Sequence, residues 1–127
     1  MGETIRIPTY EGDSSFPAYV VQPEGKPRAA IIVIQEIFGV NADVRKKADH
    51  WAALGYLAVA PEVFWRQAEG IELDSDVPEQ FQKSLEYMMA HDFDAGIRDV
   101  EATIRWVRKK AGVAKVGLVG FCMGGKV

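Results

Sequence analysis

Only one cysteine and two histidines occur in the 127 residues. A lone cysteine excludes an internal disulfide, so Cys122 is a free thiol whose presence needs a reason of its own. No cluster of Cys and His stands at metal-ligand spacing, so no metal is expected, and no motif calls for another cofactor. Positive charge is not in excess either. The formal net charge is -3 and the basic residues interleave with acids, which leaves no stripe for a nucleic acid. Long apolar runs are missing: the longest, Ala29 to Ile34 "AAIIVI", is far too short to span a bilayer. The first fifteen residues lack the charged-then-apolar order of a secretory signal, so no membrane partner and a cytoplasmic location are expected. What remains is ordinary for a globular domain, with 48% apolar and 26% charged residues in a chain long enough for one domain.

Along the chain, Thr4 to Ile7 and Ala18 to Val21 are short β-rich runs separated by the turn-forming "EGDSSFP", the pattern of an N-terminal hairpin. After "PEGKPR" the unbroken apolar run of "AAIIVIQE" predicts a strand covered on both faces, as in a parallel sheet. Asn41 is placed to cap a helix through Leu54 with Val44, Ala48, Trp51 and Ala52 on one stripe, and Gly55 to end it. "YLAVAP" is the next strand, Glu62 to Val77 is irregular and acidic, and Pro78 opens a helix to Ala90. Ile97, Val100, Ile104 and Val107 mark a long helix whose last turn, Arg108, Lys109 and Lys110, suits the negative end of its dipole before Gly112. The strand "KVGLVGF" follows. Alternation of strand and helix in this order predicts an α/β fold with a mostly parallel sheet and an N-terminal hairpin.

The final stretch, "VGLVGFCMGGKV", fits two incompatible patterns. Gly120, Gly125 and Lys126 match the phosphate-binding G-x-x-x-x-G-K, whereas Gly120, Cys122 and Gly124 match G-x-C-x-G, the cysteine form of a hydrolase nucleophile elbow. A phosphate loop needs Ser or Thr after its lysine to ligate Mg²⁺, and Val127 stands there. A dinucleotide loop needs a middle glycine, and Cys122 would obstruct the pyrophosphate. The elbow accounts for each residue. Glycines two before and two after the nucleophile remove side chains that would collide on a strained strand-to-helix turn. With glycine at about 7% of positions, a given cysteine gains both by chance in about one case in two hundred. The helix starting beneath the sulfur favours thiolate. Against this stands the commoner role of a free cysteine as a small buried apolar residue.

An elbow also requires a second amide donor for the oxyanion, from the loop after the third strand, and that loop reads "QEIFGVN". Gln35-Glu36-Ile37-Phe38-Gly39-Val40-Asn41, the strand Lys115 to Phe121 and Cys122-Met123-Gly124-Gly125 together resemble the dienelactone hydrolase family, α/β-hydrolases with a cysteine nucleophile. "ALGYLAVAPEVFWRQ" and "DFDAGIRDVEATIRWV" match in register, so the resemblance covers nearly the whole chain but only about the first half of the family's domain. It implies that Cys122 attacks an ester or lactone carbonyl, that the amides of Ile37 and Met123 hold the oxyanion, and that Phe38 lines the substrate. It also implies that Glu36 hydrogen-bonds the resting thiol and takes its proton when substrate displaces it; the plain reading of Glu36 is a solvated carboxylate at a strand end. The family members that open dienelactones carry an arginine early in the helix after the acidic loop. "PEQFQKSLEYMM" has none, which leaves Lys83 and the loop residue Arg66 as candidate cations.

In this fold the triad runs nucleophile, acid, histidine, and only five residues follow Cys122. His50 and His91 precede it and read as ordinary surface or packing histidines. The expectation is therefore residues 1–127 as the N-terminal half of one α/β-hydrolase domain, incomplete after the elbow, with the second half truncated, cleaved off or supplied by another chain. Its substrate is expected to be a small-molecule ester or lactone. A non-catalytic half-domain that associates with a partner is the alternative, and nucleotide binding a distant third.

Overall fold

The computed structural model describes residues 2–110 and 112–120. Eight elements follow in the order β1 (Glu3–Pro8), β2 (Ser15–Val21), β3 (Ala30–Ile34), α1 (Ala42–Ala53), β4 (Leu57–Pro61), α2 (Pro78–Ala90), α3 (Phe93–Lys110) and β5 (Val116–Gly120). The five strands form one mixed sheet in the order β1-β2-β4-β3-β5. Strands β4, β3 and β5 run parallel, as the alternation of strand and helix demands. The hairpin extends this sheet antiparallel, β1 on β2 from Glu3↔Val20 to Pro8↔Ser15, and β2 on β4.

Both faces of the sheet are covered over β3 and β4, which explains why these two strands read as continuous apolar runs. Leu57 and Val59 of β4 join Phe16, Ala18 and Val20 of β2 on the face packed by Ala102 and Val107 of α3. Ala58 and Ala60 point the other way, where their small side chains let Val44, Ala48 and Ala52 of α1 approach. On β3 the same alternation sends Ile32 and Ile34 towards Val100 and Val33 towards α1. Each fully buried side chain of this size contributes about 1.5–3 kcal/mol of hydrophobic stabilisation.

Local signals set the helix ends. Asn41 Oδ1 accepts from the Val44 amide at 3.1 Å, and Gly55, at φ +97°, takes the left-handed position after α1. Pro78 starts α2, as its fixed φ predicts. Three details differ from the sequence expectation. Ser15, Phe16 and Pro17 belong to β2 rather than to the preceding turn, because Phe16 is fully buried and stacks on Trp65 at 5.9 Å. Helix α3 begins at Phe93, ahead of the apolar stripe, because Asp92 Oδ1 accepts from the Ala95 amide at 3.1 Å and caps it. Its buried face includes Asp99 and Thr103, while Ile97 is 42% exposed.

Candidate functional site

The parallel pairing of β3 and β5 decides where the two motifs meet. Gly120, the last residue of β5, pairs with Ile34, the last residue of β3, so both strands end side by side at one edge of the sheet. Hydrogen-bonded strands lie about 4.8 Å apart, which brings the start of the Gln35–Asn41 loop alongside Gly120. Ligands of open α/β sheets bind at this carboxyl edge. Cys122, Met123 and Gly124 lie outside the described residues, and Gly120 is the elbow residue the structure places.

The loop after β3 is held by tertiary contacts. Gln35 is fully buried; its Nε2 donates to the Glu36 carbonyl at 3.0 Å and its Oε1 accepts from the Val63 amide at 2.9 Å. It therefore ties the end of β3 to the segment after β4. The Gly39 amide donates to the Glu36 carbonyl at 3.2 Å, closing a turn over Ile37 and Phe38. Gly39 has φ +83°, and a Cβ there would run into the backbone carbonyl of Ile71, so both conformation and space require glycine. The acidic segment folds back over this turn: the Leu73 amide donates to the Phe38 carbonyl at 2.9 Å and Asn41 Nδ2 to the Leu73 carbonyl at 3.3 Å. The sequence motif gives Gln35 no role; the signal for one is an amide side chain directly after the apolar run of β3.

Glu36 is partly exposed and lies 3.7 Å from Lys47 Nζ. Lys47 also binds Asp43 at 2.8 Å, one helical turn away, and that hydrogen bond, with Asp43 and Glu36 nearby, holds its ammonium above the usual lysine range. Arg45 binds Glu72 at 2.8 Å and the Val40 carbonyl at 3.0 Å. Phe38 meets Phe81 of α2 with ring centroids 6.1 Å apart. Glu36 and Phe38 open onto a hollow of about 400 Å³ bounded by Asn41, Asp43, Glu72 and Gln80, among others.

Neither candidate cation lines that hollow. Arg66 makes a bidentate pair with Asp99, 2.6 Å from Nη1 to Oδ2 and 3.1 Å from Nη2 to Oδ1, and stacks over the Trp65 ring at 4.6 Å. Asp99 is 1% exposed and also accepts from Trp65 Nε1 at 2.9 Å, so Arg66 is the partner of a buried carboxylate instead of a solvated loop cation. Lys83 lies on α2 between Glu86, at 3.9 Å, and the Tyr87 ring, at 5.0 Å. His50 is exposed on α1 against the edge of Trp51. His91 joins α2 to α3, its ring against Phe64 and Phe93 and over the bare Cα of Gly96. Its buried Nε2 has no partner, and burial pushes the imidazole below its usual value despite the nearby Asp92 and Asp99. No group of acids, cysteine and histidine among the described residues is arranged to hold a metal, and no described helix is long and apolar enough to cross a membrane.

Comparison with known proteins places this geometry. The model of the dienelactone hydrolase family matches residues 16–127. The chain is 41% identical to a carboxymethylenebutenolidase of Pseudomonas putida over 97% of its own length and 52% of that protein's. Among solved structures, it is similar to one from Klebsiella pneumoniae that carries the name dienelactone hydrolase provisionally, with TM-score 0.81 and 32% identity over 98% of this chain and 51% of that one. An α/β serine hydrolase from Xanthomonas campestris shares the fold, with TM-score 0.63 at 17% identity over 99% of this chain and 53% of the other. The chain thus spans about half the length of the curated relatives it matches.

Proposed function

Because this chain belongs to the dienelactone hydrolase family, we propose that it forms the N-terminal half of a hydrolase that cleaves carboxylic esters or lactones through the Cys122 thiol. The observation that supports this reading is the pairing of Gly120 with Ile34, which sets the end of β5 beside the start of the loop that carries Glu36 and Ile37. The catalytic acid and histidine come from sequence outside this chain. His50 faces solvent and His91 is packed at a helix junction, and neither lines the hollow beside Glu36.

In the proposed cycle the thiol passes its proton to Glu36, the sulfur adds to the carbonyl carbon, and the carbonyl π pair moves onto an oxygen held by the amides of Ile37 and Met123. Collapse breaks the C–O bond, and the departing alkoxide takes a proton from the imidazolium supplied by the second half. Water then adds to the thioester, giving one proton to that histidine. Expulsion of the thiolate frees the carboxylic acid, and the proton on Glu36 returns to the sulfur.

Steady-state hydrolysis of p-nitrophenyl acetate tests this reading, with Cys122→Ala as control. Turnover is expected to vanish in the variant. The 127-residue chain alone is expected to be about 10²–10⁴-fold slower than the same chain supplied with the acid- and histidine-bearing segment. Turnover that persists in Cys122→Ala would remove the proposal.

A second reading, a half-domain that associates without catalysis, draws on strand β5, which ends the sheet order and leaves Leu118 56% exposed. It requires association that is indifferent to thiol alkylation.

A further inference from the structure

The walls of the hollow beside Glu36 say what kind of ester they admit. Carboxylates dominate them: Glu36, Asp43, Glu72 and Asp74 all line the space, and no lysine or arginine does among the described residues. The two cations that border it are already bound, Arg45 to Glu72 at 2.8 Å and Lys47 to Asp43 at 2.8 Å. Among the described residues, four carboxylates against these two cations leave two negative charges at the rim. Neither Arg66, held by the buried Asp99, nor Lys83, held by Glu86 and Tyr87, is placed to offset them. Phe38 lines the hollow together with Ala42 and Leu73, and its ring meets that of Phe81, which keeps 42% of its surface exposed.

Resting on the hydrolase reading above, we propose that the substrate class of this site is an uncharged ester or lactone carrying an apolar, preferably aromatic, group, and not one that bears a carboxylate. Among the described residues, a carboxylate entering the hollow meets net negative charge and finds no fork of donors to bind it. An uncharged ring avoids that repulsion and covers the exposed edge of Phe81, where an offset or edge-to-face contact stabilises it further. Discrimination here comes from the repulsive rim as much as from the attractive ring. Two net charges at the rim, partly screened by water, amount to about a tenfold preference.

The test uses two matched pairs. In the first, kcat/KM is measured for phenyl acetate and 4-acetoxybenzoate, each divided by its uncatalysed hydrolysis rate. In the second, binding of the non-hydrolysed amides acetanilide and 4-acetamidobenzoate is followed at the ring resonances of Phe38 and Phe81. The uncharged member is expected to be favoured about tenfold in both pairs, and Phe81→Arg to shift each ratio at least fivefold towards the carboxylate. Equal or tighter binding of 4-acetamidobenzoate to the native protein would overturn the proposal, as would ring resonances that respond to neither amide. Thiol-dependent turnover that favours 4-acetoxybenzoate would overturn the specificity alone. Turnover that survives Cys122→Ala would instead remove the hydrolase reading on which it rests.

Discussion

Replacing Gln35 by methionine isolates the clamp that positions the loop after β3. Methionine matches the unbranched shape of glutamine but supplies neither of its hydrogen bonds. The Val63 amide, buried and bonded to Oε1 at 2.9 Å, would lose its partner with no water to replace it. An unsatisfied buried donor costs about 1–3 kcal/mol. The Glu36 carbonyl, bonded to Nε2 at 3.0 Å, keeps the Gly39 amide as a donor, so its share is about 0.5 kcal/mol. Burying a thioether in place of an amide returns about 1 kcal/mol of transfer free energy. The net expectation is a loss of about 0.5–2.5 kcal/mol, read from urea denaturation by circular dichroism with the m-value unchanged. Gln35→Glu is the informative companion. It keeps one acceptor for Val63 but buries a carboxylate whose pKa must rise, so its folded state gains protons the unfolded state lacks. Its stability should therefore recover as pH falls from 7 towards 5. A Gln35→Met variant within 0.3 kcal/mol of the parent, or a Gln35→Glu variant whose stability falls in that direction, would refute the clamp.

Three further outcomes are expected. Gly39→Ala combines a left-handed φ with a collision against the Ile71 carbonyl, so a loss of about 2–4 kcal/mol in thermal unfolding is expected, with faster hydrogen exchange at the Leu73 amide. Arg66→Met removes two of the three donors to Asp99, and because Arg66 is itself 36% exposed the loss should be about 2–3 kcal/mol, below that for a fully buried pair; Asp99→Asn in the same background should restore part of it. His91 is held below its ordinary pKa, so between the two values the unfolded chain binds the proton more readily and stability rises with pH. Denaturation curves between pH 5 and 7.5 should show that slope in the parent and a flatter one in His91→Gln.

The site itself divides into what a local window can show and what it cannot. The G-x-C-x-G spacing and the "QEIFGVN" loop are legible because each depends on glycines and on a strand end, features carried by adjacent residues. That Gly120 ends opposite Ile34 follows from the parallel order β4-β3-β5, which the alternation of strand and helix predicts but whose register only the sheet displays. The engagement of Arg66 with Asp99 was not legible, since the two lie 33 positions apart and each alone reads as a surface charge. Phe16 likewise reads as part of a turn until Trp65 is seen beneath it.

By itself, then, the sequence determined the succession of elements, the covered faces of β3 and β4, the Asn41 and Pro78 helix starts and the family to which the chain belongs. All of these rest on periodicity, capping chemistry or motif spacing, interactions that span a few residues or a few contiguous windows. Tertiary structure decided the roles of the polar residues: Gln35 as a buried clamp, Gly39 as the residue that fits beneath Ile71, Arg66 as counter-ion to Asp99, and the rim of carboxylates around Phe38. The reason is physical. Apolar side chains are driven inward by their own surface, whereas a polar side chain inside a protein is defined by the partner that satisfies it, and that partner is chosen by the fold.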